Sequence, residues 1–204
     1  KPIGNGTQRA EAARKGSWGE LTAKMQAEVG VIDAIWRTLP KAIIVGDSTQ
    51  AVYAGNYYCD APRARSWFNA ATGYGALGFA PPAAVGAALA DPTAPIVCLV
   101  GDGGLQFSLS EIGSAVDADA RVIFLVWNND GYQEIENYMI DAGITPEGVK
   151  PSAPDFIAIG TAYGVPSERL ADVRDLPEAL ERAAGRKGPS LVEIHQTRTA
   201  GATA

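Results

Sequence analysis

The sequence has few of the side chains that build disulfide frameworks and zinc sites, because its 204 residues include only two cysteines and one histidine. Cys98 lies inside an apolar run, as expected of a small buried side chain, and Cys59 stands far from it in sequence. This usage argues against a disulfide scaffold or a CxxC zinc site and fits a reducing compartment, so we expect a cytoplasmic protein. For the single histidine, His195, we expect a structural or surface role.

Clusters of positive charge and long apolar segments are missing as well. The 17 basic and 23 acidic residues give a net charge of −6, without the concentrated Lys and Arg of a nucleic-acid-binding surface. No apolar run approaches the roughly 18 residues of a membrane-spanning helix, and the polar N-terminus lacks the apolar centre of a signal peptide. We therefore expect neither nucleic acid nor a membrane as a partner.

Apolar residues make up 47% of the chain and charged residues 20%, which is typical of a globular domain and not of a disordered one. Residues 1–18 contain Gly, Asn, Thr and mixed charges without periodicity, so they predict a linker or tail. We place one domain at 19–198 and a short tail at 199–204. Because the chain does not begin with Met, we expect a piece of a longer protein.

Short continuous apolar runs alternate with helix-like segments through the domain. Runs such as 96–100, which show no polar alternation, are typical of strands covered on both faces. The pattern predicts strands over 42–45, 96–100, 122–127 and 191–194, and helices over 21–39, 78–90, 108–118, 132–142, 154–163 and 175–185. This alternation predicts an α/β fold, with a doubly wound, mostly parallel sheet and helices on both faces.

Small and polar residues follow three of the predicted strands, at the ends where ligands bind in open parallel sheets. These tips are 46–50, 101–104 and 128–132. Taken singly, each tip also fits an ordinary turn rich in Gly, Asn and Asp. In the second tip, Asp102 could project into the crevice, where a phosphate could reach the backbone amides beside it. The following helix is predicted to start near 108, at a capping box formed by Ser108 and Glu111.

An aspartate beside a phosphate requires a cation between the two negative charges. Mg²⁺ and Ca²⁺ bind oxygen ligands, and Mg²⁺ usually combines one or two protein groups with phosphate oxygens and water. Asn129 in the third tip can supply an amide oxygen, and Gly131 permits an unusual backbone angle there. These residues predict a divalent cation that joins Asp102 to a diphosphate. An Asx-stabilised turn would account for 128–131 taken alone.

The GDG of 101–103, followed after 24 residues by the NN of 128–129, resembles the thiamine diphosphate signature of the acetolactate synthase and 2-oxo acid decarboxylase superfamily. The resemblance covers about residues 20–195. It implies the cofactors thiamine diphosphate and Mg²⁺, with the metal held by Asp102, the side chain of Asn129 and the backbone oxygen of Gly131.

A second segment, 75–84, resembles the G-T-M-G-x-G-L-P-A-A stretch of the same superfamily. The resemblance implies that the Gly75 carbonyl accepts a hydrogen bond from the aminopyrimidine ring and that Leu77 lies beneath the thiazolium ring. Ala76 and Pro81 depart from the stretch without touching those two roles. The cofactor site implied by the resemblance consists of Ser48, Thr49, Gln50, Gly75, Leu77, Asp102, Gly103, Gly104, Asn129, Gly131 and Tyr132.

The segment 73–78 also fits the G-x-G-x-x-G dinucleotide fingerprint. The residues before it do not resemble a buried parallel strand, and no strand tip carries an acid about 20 residues further on that could bind a ribose. We therefore interpret this match as accidental.

The helix predicted over 132–142 faces the reacting atoms in the superfamily. The position six beyond Asn129 holds a catalytic Glu in relatives of yeast pyruvate decarboxylase, whereas Ile135 occupies it here, as in the acetolactate synthase branch. Glu134 and Glu136 would point roughly 200° apart on one helix, so at most one faces the cleft. Both could be ordinary surface acids. The alternative is that Glu134 binds a guanidinium group, as would suit a relative that decarboxylates 5-guanidino-2-oxopentanoate. The candidate catalytic residues are Leu77, Glu134 and Ile135.

The resemblance implies that the Glu which activates the cofactor belongs to another domain. We expect this pyrimidine-binding domain in a missing N-terminal region or in a partner subunit, a homo-oligomer, and no activity of the chain alone. The expected function is the C-terminal cofactor-binding domain of a decarboxylase or carboligase for a 2-oxo acid. The alternatives are a small subunit of a split 2-oxo acid decarboxylase, or a cofactor-binding module without catalysis.

Overall fold

The computed structural model describes residues 4–196, and a six-stranded parallel sheet lies at their centre. The strands are β1 (Ile43–Gly46), β2 (Trp67–Asn69), β3 (Ile96–Gly101), β4 (Val122–Asn128), β5 (Ser167–Arg169) and β6 (Ser190–His195). They pair in the order β2-β1-β3-β4-β6-β5, and each neighbouring pair is parallel. The four predicted strands are the four central ones.

Helices connect the strands and cover both faces of the sheet. They are α1 (Gly6–Glu20), α2 (Ala23–Thr38), α3 (Gln50–Tyr58), α4 (Ala80–Ala90), α5 (Asp102–Gln106), α6 (Ser110–Asp117), α7 (Gln133–Asp141), α8 (Phe156–Ala162) and α9 (Leu176–Ala184). Each predicted helix is present, with ends that shift by at most two residues. Within residues 4–196, no helix combines the length and apolar character needed to cross a bilayer.

The two faces of the sheet bury separate apolar clusters, as a doubly wound fold requires. In β3, Ile96, Cys98 and Val100 pack on the face covered by α4 and α6, whereas Val97 and Leu99 pack toward α2 and α9. All five side chains are fully buried, and a large aliphatic side chain contributes about 1.5–3 kcal/mol when it leaves water. This two-sided burial explains why the strand has no polar residue, and it confirms the predicted fold class.

The linker expected over 1–18 is corrected, because Gly6–Glu20 form the helix α1. This segment contains Ala, Arg, Glu and Lys, which favour helices without needing an apolar face, and none of its residues is buried. Its contacts with the rest of the chain involve Arg14, which pairs with Asp60, and Trp18, whose ring lies 5.0 Å from that of Tyr58. The predicted tail at 199–204 lies outside the described residues.

The sequence pattern predicts neither α3 nor the edge strands β2 and β5. Both strands have three residues and are only partly buried, so they lack the apolar run that marks the central strands. A parallel strand, β2, precedes 73–78, but it is not a buried one, because Phe68 is exposed and its two neighbours are only partly buried. The chain then forms a 3-10 turn at Ala70–Thr72, so the strand-to-helix context of a dinucleotide site is absent from this segment.

The capping box predicted at Ser108 and Glu111 is wrong. Helix α6 begins at Ser110 after Leu109, and no side chain caps it. The chain turns earlier, in α5, and the Ser108 N–H donates to the Leu105 carbonyl at 3.1 Å. The Ser108 hydroxyl is therefore held inside this turn, buried and without a hydrogen-bond partner.

Candidate functional site

One cleft of about 270 Å³ lies at the carboxyl edge of the sheet, beyond the tips of β1, β3 and β4. These strands are neighbours, and their register aligns Gly46 with Leu99 and Gly101 with Trp127. The tips therefore converge, although they are distant in sequence. Every site residue proposed from the sequence lines this cleft: Ser48, Thr49, Gln50, Gly75, Leu77, Asp102, Gly103, Gly104, Asn129, Gly131, Tyr132, Glu134 and Ile135.

Asp102 is the carboxylate at the floor of the cleft and is only 2% exposed. Its Oδ1 accepts a long hydrogen bond, 3.4 Å, from the Asn129 backbone N–H, and its Oδ2 has no partner. Burial raises the pKa of this carboxyl, and the backbone N–H of Asn129 opposes the rise. A buried carboxylate oxygen without a donor is costly unless a ligand or a cation completes it.

Two acceptor oxygens, Asp102 Oδ1 and the Gly131 carbonyl, converge on the side-chain amide of Asn129. With its nitrogen turned inward, Asn129 donates to them at 3.1 and 2.8 Å; with its oxygen turned inward, that oxygen lies at the same distances from the two others. Adjacent ligands of an octahedral Mg²⁺ lie about 2.9–3.0 Å apart, because each metal–oxygen bond is about 2.0–2.1 Å. The oxygen-inward arrangement therefore suits a small hard cation.

A metal ion bound here would have mostly neutral protein ligands. Within residues 4–196, no group of three or more His, Cys, Asp and Glu side chains could hold a metal ion. The set formed by Asp102, Asn129 and Gly131 has one carboxylate and two neutral oxygens, which leaves coordination positions for phosphate oxygens and water.

Gly131 is the residue of this loop at which a side chain would clash with nearby backbone atoms. Its φ is +146°, and a Cβ atom there would lie 2.5 Å from the Val149 carbonyl oxygen. The same carbonyl accepts a hydrogen bond from the Tyr132 N–H at 2.8 Å. The loop is thus fixed against the segment that contains Val149, with the Gly131 carbonyl beside Asn129.

A buried glutamate that the sequence analysis missed holds the other side of this loop. Glu193 is fully buried, and its Oε1 accepts from Asn128 Nδ2 at 2.7 Å while its Oε2 accepts from Arg169 Nε at 2.8 Å. The Asn128 Oδ1 in turn accepts from the Asp130 N–H at 3.1 Å. The only sequence signal is an acid inside the apolar run of β6. His195, at the end of β6, is buried with its Nε2 3.3 Å from Asp130 Oδ1, which fits the expected structural role.

Asp47, also missed, joins the loop after β1 to the segment that carries Gly75 and Leu77. Its Oδ1 accepts from the N–H groups of Ser48 (2.8 Å) and Gly78 (3.3 Å), and its Oδ2 accepts from the Ala80 N–H at 3.0 Å. Burial raises the pKa of Asp47, and these backbone donors oppose the rise. A carboxylate at the N-terminus of α4 also interacts favourably with the helix dipole.

The glycines after Asp102 leave no room for side chains. A Cβ atom at Gly103 would lie 2.4 Å from the Tyr132 ring, and one at Gly104 would lie 2.9 Å from Asp47 Oδ1. The backbone of this turn is therefore open to the cleft on one side and packed tightly on the other. Such a surface can approach a bulky anion closely.

The two glutamates of α7 have different surroundings. Glu136 pairs with Lys150 at 2.7 Å, whereas Glu134 lines the cleft, and no hydrogen bond or ion pair to it is present among residues 4–196. Ile135 also lines the cleft and is 49% exposed. The expectation that at most one of the two acids faces the cleft therefore agrees with the structure, and that acid is Glu134.

Comparison with known proteins gives a family match over most of the chain. The model of the thiamine pyrophosphate enzyme, C-terminal TPP binding domain, matches residues 47–194. "Probable 2-ketoarginine decarboxylase AruI" of Pseudomonas aeruginosa is 37% identical over 188 residues, which cover 91% of this chain and 33% of that protein. Acetolactate synthase isozyme 3 large subunit of Escherichia coli is 32% identical over 158 residues, which cover 75% of this chain and 27% of that protein.

Solved structures agree with these matches. The thiamine diphosphate-dependent 4-hydroxybenzoylformate decarboxylase of Rhodococcus jostii RHA1 superposes with a TM-score of 0.72 at 29% identity, covering 84% of this chain and 32% of that one. The benzoylformate decarboxylase of Polynucleobacter necessarius gives a TM-score of 0.72 at 26% identity, covering 81% and 32%. The chain thus spans about a third of the length of the proteins that it matches.

Proposed function

This chain belongs to the thiamine pyrophosphate enzymes as a C-terminal TPP-binding domain, and from that premise we propose that it serves a decarboxylase or carboligase whose 2-oxo acid substrate has a guanidinium tail. Its relatives include decarboxylases and acetolactate synthases.

The residues at the carboxyl edge of the sheet fit the diphosphate end of the cofactor. Asp102, the side-chain oxygen of Asn129 and the Gly131 carbonyl would hold Mg²⁺, which would join the Asp102 carboxylate to the diphosphate. The unpartnered Oδ2 of Asp102 supports this assignment, because a buried carboxylate oxygen requires a positive charge or a donor. The Gly103–Gly104 turn would face the phosphates without side-chain obstruction.

The remaining residues of the cleft would orient the organic part of the cofactor. When bound, thiamine diphosphate supplies a nucleophilic carbon and an acceptor for the electrons released by decarboxylation. The Gly75 carbonyl would accept a hydrogen bond from the aminopyrimidine, and Leu77 would support the thiazolium ring. Ser48, Thr49, Gln50 and Tyr132 would close the cleft around the ligand. Asp47 holds the segment of Gly75 and Leu77 in position through its hydrogen bonds from the Gly78 and Ala80 N–H groups.

The unpaired Glu134 carboxylate carries the proposal for the substrate. It lies in the cleft beside the apolar Ile135, while its neighbour Glu136 is neutralised by Lys150. A free carboxylate next to the reaction site favours a cationic substrate group, and a guanidinium can bind it through two parallel hydrogen bonds. One relative's name, 2-ketoarginine decarboxylase, refers to such a substrate. We therefore propose 5-guanidino-2-oxopentanoate.

The test compares Glu134→Gln with the matched control Glu136→Gln in the full-length enzyme. With 5-guanidino-2-oxopentanoate, Glu134→Gln should raise KM at least about tenfold, since a hydrogen bond to a charged group contributes about 1.5–3 kcal/mol. KM for pyruvate should stay unchanged, and Glu136→Gln should affect neither substrate. Equal losses on both substrates, or no loss, would remove Glu134 from the substrate site.

The other half of the cofactor site, including the activating Glu, would come from a pyrimidine-binding domain elsewhere in the protein or from a partner subunit in a homo-oligomer. The chain covers about a third of its relatives, which supports this arrangement. Expressed alone, it should bind thiamine diphosphate and Mg²⁺ weakly and show no decarboxylation. Calorimetry and a carbon dioxide assay on the isolated chain test both expectations, and turnover by the chain alone would contradict the arrangement.

A further inference from the structure

A second cavity of about 270 Å³, here called the side cavity, lies between α2, α3 and α7 and adjoins the cofactor cleft. The two share Gln50, Tyr53 and Glu134 in their walls. The side cavity therefore borders the cleft along these three side chains. Its additional walls include Glu28 of α2 and the exposed Tyr57 of α3.

Two buried acceptor atoms in the wall of the side cavity have no hydrogen-bond donor. They are Oε1 of Glu28 and Oε1 of Gln50, on side chains whose residues are 4% and 8% exposed. A domain that buries acceptors without donors loses free energy at each one. Two such acceptors in one cavity wall suit a bound group that carries hydrogen-bond donors.

The wall of the side cavity contains two acids, Glu28 and Glu134, and one base, Lys24. Burial raises the pKa of Glu28 to about 7; the charge of Lys24 opposes this rise, and the charge of Glu134 contributes to it. Lys24 itself donates to Gln133 Oε1 at 3.2 Å, and no ion pair between Lys24 and Glu28 forms in the described part of the chain. A cation placed between Glu28 and Glu134 would favour the ionised form of Glu28 and would pair with the Glu134 carboxylate.

We propose that Glu28 and Gln50 form, with Glu134, a subsite in the side cavity that receives the guanidinium end of the substrate. The inference rests on the proposed function and adds Glu28 as a specificity-determining residue. A guanidinium has five N–H donors in a plane, which match two carboxylates and an amide oxygen. An ammonium group has three donors and would leave part of this acceptor set unfilled.

The experiment compares Glu28→Gln with Asp33→Asn in the full-length enzyme, because Asp33 lies on the same helix but is exposed. The substrates are 5-guanidino-2-oxopentanoate and the uncharged 2-oxohexanoate. Glu28→Gln should raise KM for the guanidino acid about tenfold to a hundredfold and leave kcat, and both constants for 2-oxohexanoate, within about twofold. Asp33→Asn should change nothing. Glu28→Asp, which keeps the charge, should recover part of the loss.

The pH dependence gives a readout that a merely structural Glu28 would not produce. In the unsubstituted enzyme, KM for the guanidino acid should fall as pH rises through about 7, the pKa to which burial moves Glu28. This fall should disappear in Glu28→Gln and be absent for 2-oxohexanoate. Melting temperatures establish that each variant is folded.

The outcomes separate this inference from the proposed function. If the unsubstituted enzyme does not prefer the guanidino acid to 2-oxohexanoate, the proposed function fails and the inference with it. If that preference exists and depends on Glu134, yet Glu28→Gln leaves KM and its pH profile unchanged, the proposed function stands and the role of Glu28 is overturned.

Discussion

Replacement of Arg169 by Met tests how much the countercharge of the buried Glu193 carboxylate, which also binds Asn128, contributes to stability. Glu193 is fully buried and holds Arg169 Nε at 2.8 Å and Asn128 Nδ2 at 2.7 Å. Without the guanidinium, a buried negative charge loses its countercharge. Removing one partner of a buried ion pair costs about 3–5 kcal/mol, and we expect the lower end, about 3 kcal/mol, because water can reach the Arg169 position. Its side chain is 30% exposed.

Urea denaturation of the chain measures this loss. The matched control is Arg182→Met, because Arg182 bonds Glu168 at the same 2.8 Å, but with side chains 46% and 31% exposed. An exposed pair contributes about 0.2–1 kcal/mol. The double variant Arg169→Met/Glu193→Gln removes the buried charge and keeps an acceptor for Asn128, so it should recover about half of the loss. Equal losses from the two arginine substitutions would refute the reasoning.

Three further predictions concern the cleft and its neighbour. Asp102→Asn should weaken Mg²⁺-dependent binding of thiamine diphosphate about a hundredfold in calorimetry, and unchanged binding would mean that the cation is held elsewhere. Gly131→Ala should lower the free energy of unfolding by about 3 kcal/mol, because its Cβ atom would lie 2.5 Å from a carbonyl oxygen. The control Gly143→Ala should lower it by only about 1 kcal/mol, because φ there is +70° but the space around the Cβ position is open. The pKa of Glu28 is about 7 in the folded chain and 4.5 in the unfolded chain, so the folded chain binds the proton more tightly. The free energy of unfolding should therefore fall as pH rises between these two values. Glu28→Gln should flatten that fall in urea denaturations at several pH values; parallel curves for the two proteins would contradict the burial of an ionisable Glu28.

The central strands could be predicted because burial on both faces leaves a direct mark on the sequence. β3 and β4 are continuous apolar runs, and every one of their residues is buried. β2 and β5 could not be predicted, since three half-buried residues at a sheet edge have no such run. Helix α1 was missed for a related reason, because a helix that buries none of its residues has no apolar periodicity to detect.

The residues at strand tips could be placed together from topology alone. Asp102 and Asn129 follow neighbouring parallel strands, so their convergence requires only the strand order. Glu193 could not be placed, because its partner Asn128 is 65 residues away and the contact depends on the register of β4 with β6. Glu28 could not be predicted either, since one acid among the apolar residues of an amphipathic helix gives no sequence signal of a binding site.

The buried acids of the described residues differ in whether both carboxylate oxygens have donors, and this difference follows the roles proposed for them. Among residues 4–196, the buried acids are Glu28, Asp47, Asp102 and Glu193. Asp47 and Glu193 have donors on both carboxylate oxygens, and they fix loops without facing a ligand. Asp102 and Glu28 each retain an oxygen without a donor, and each lines a cavity. Because an unsatisfied buried carboxylate destabilises the fold, a positive group bound in each cavity would offset that cost, which is the role we propose for a metal ion at Asp102 and for the substrate cation at Glu28.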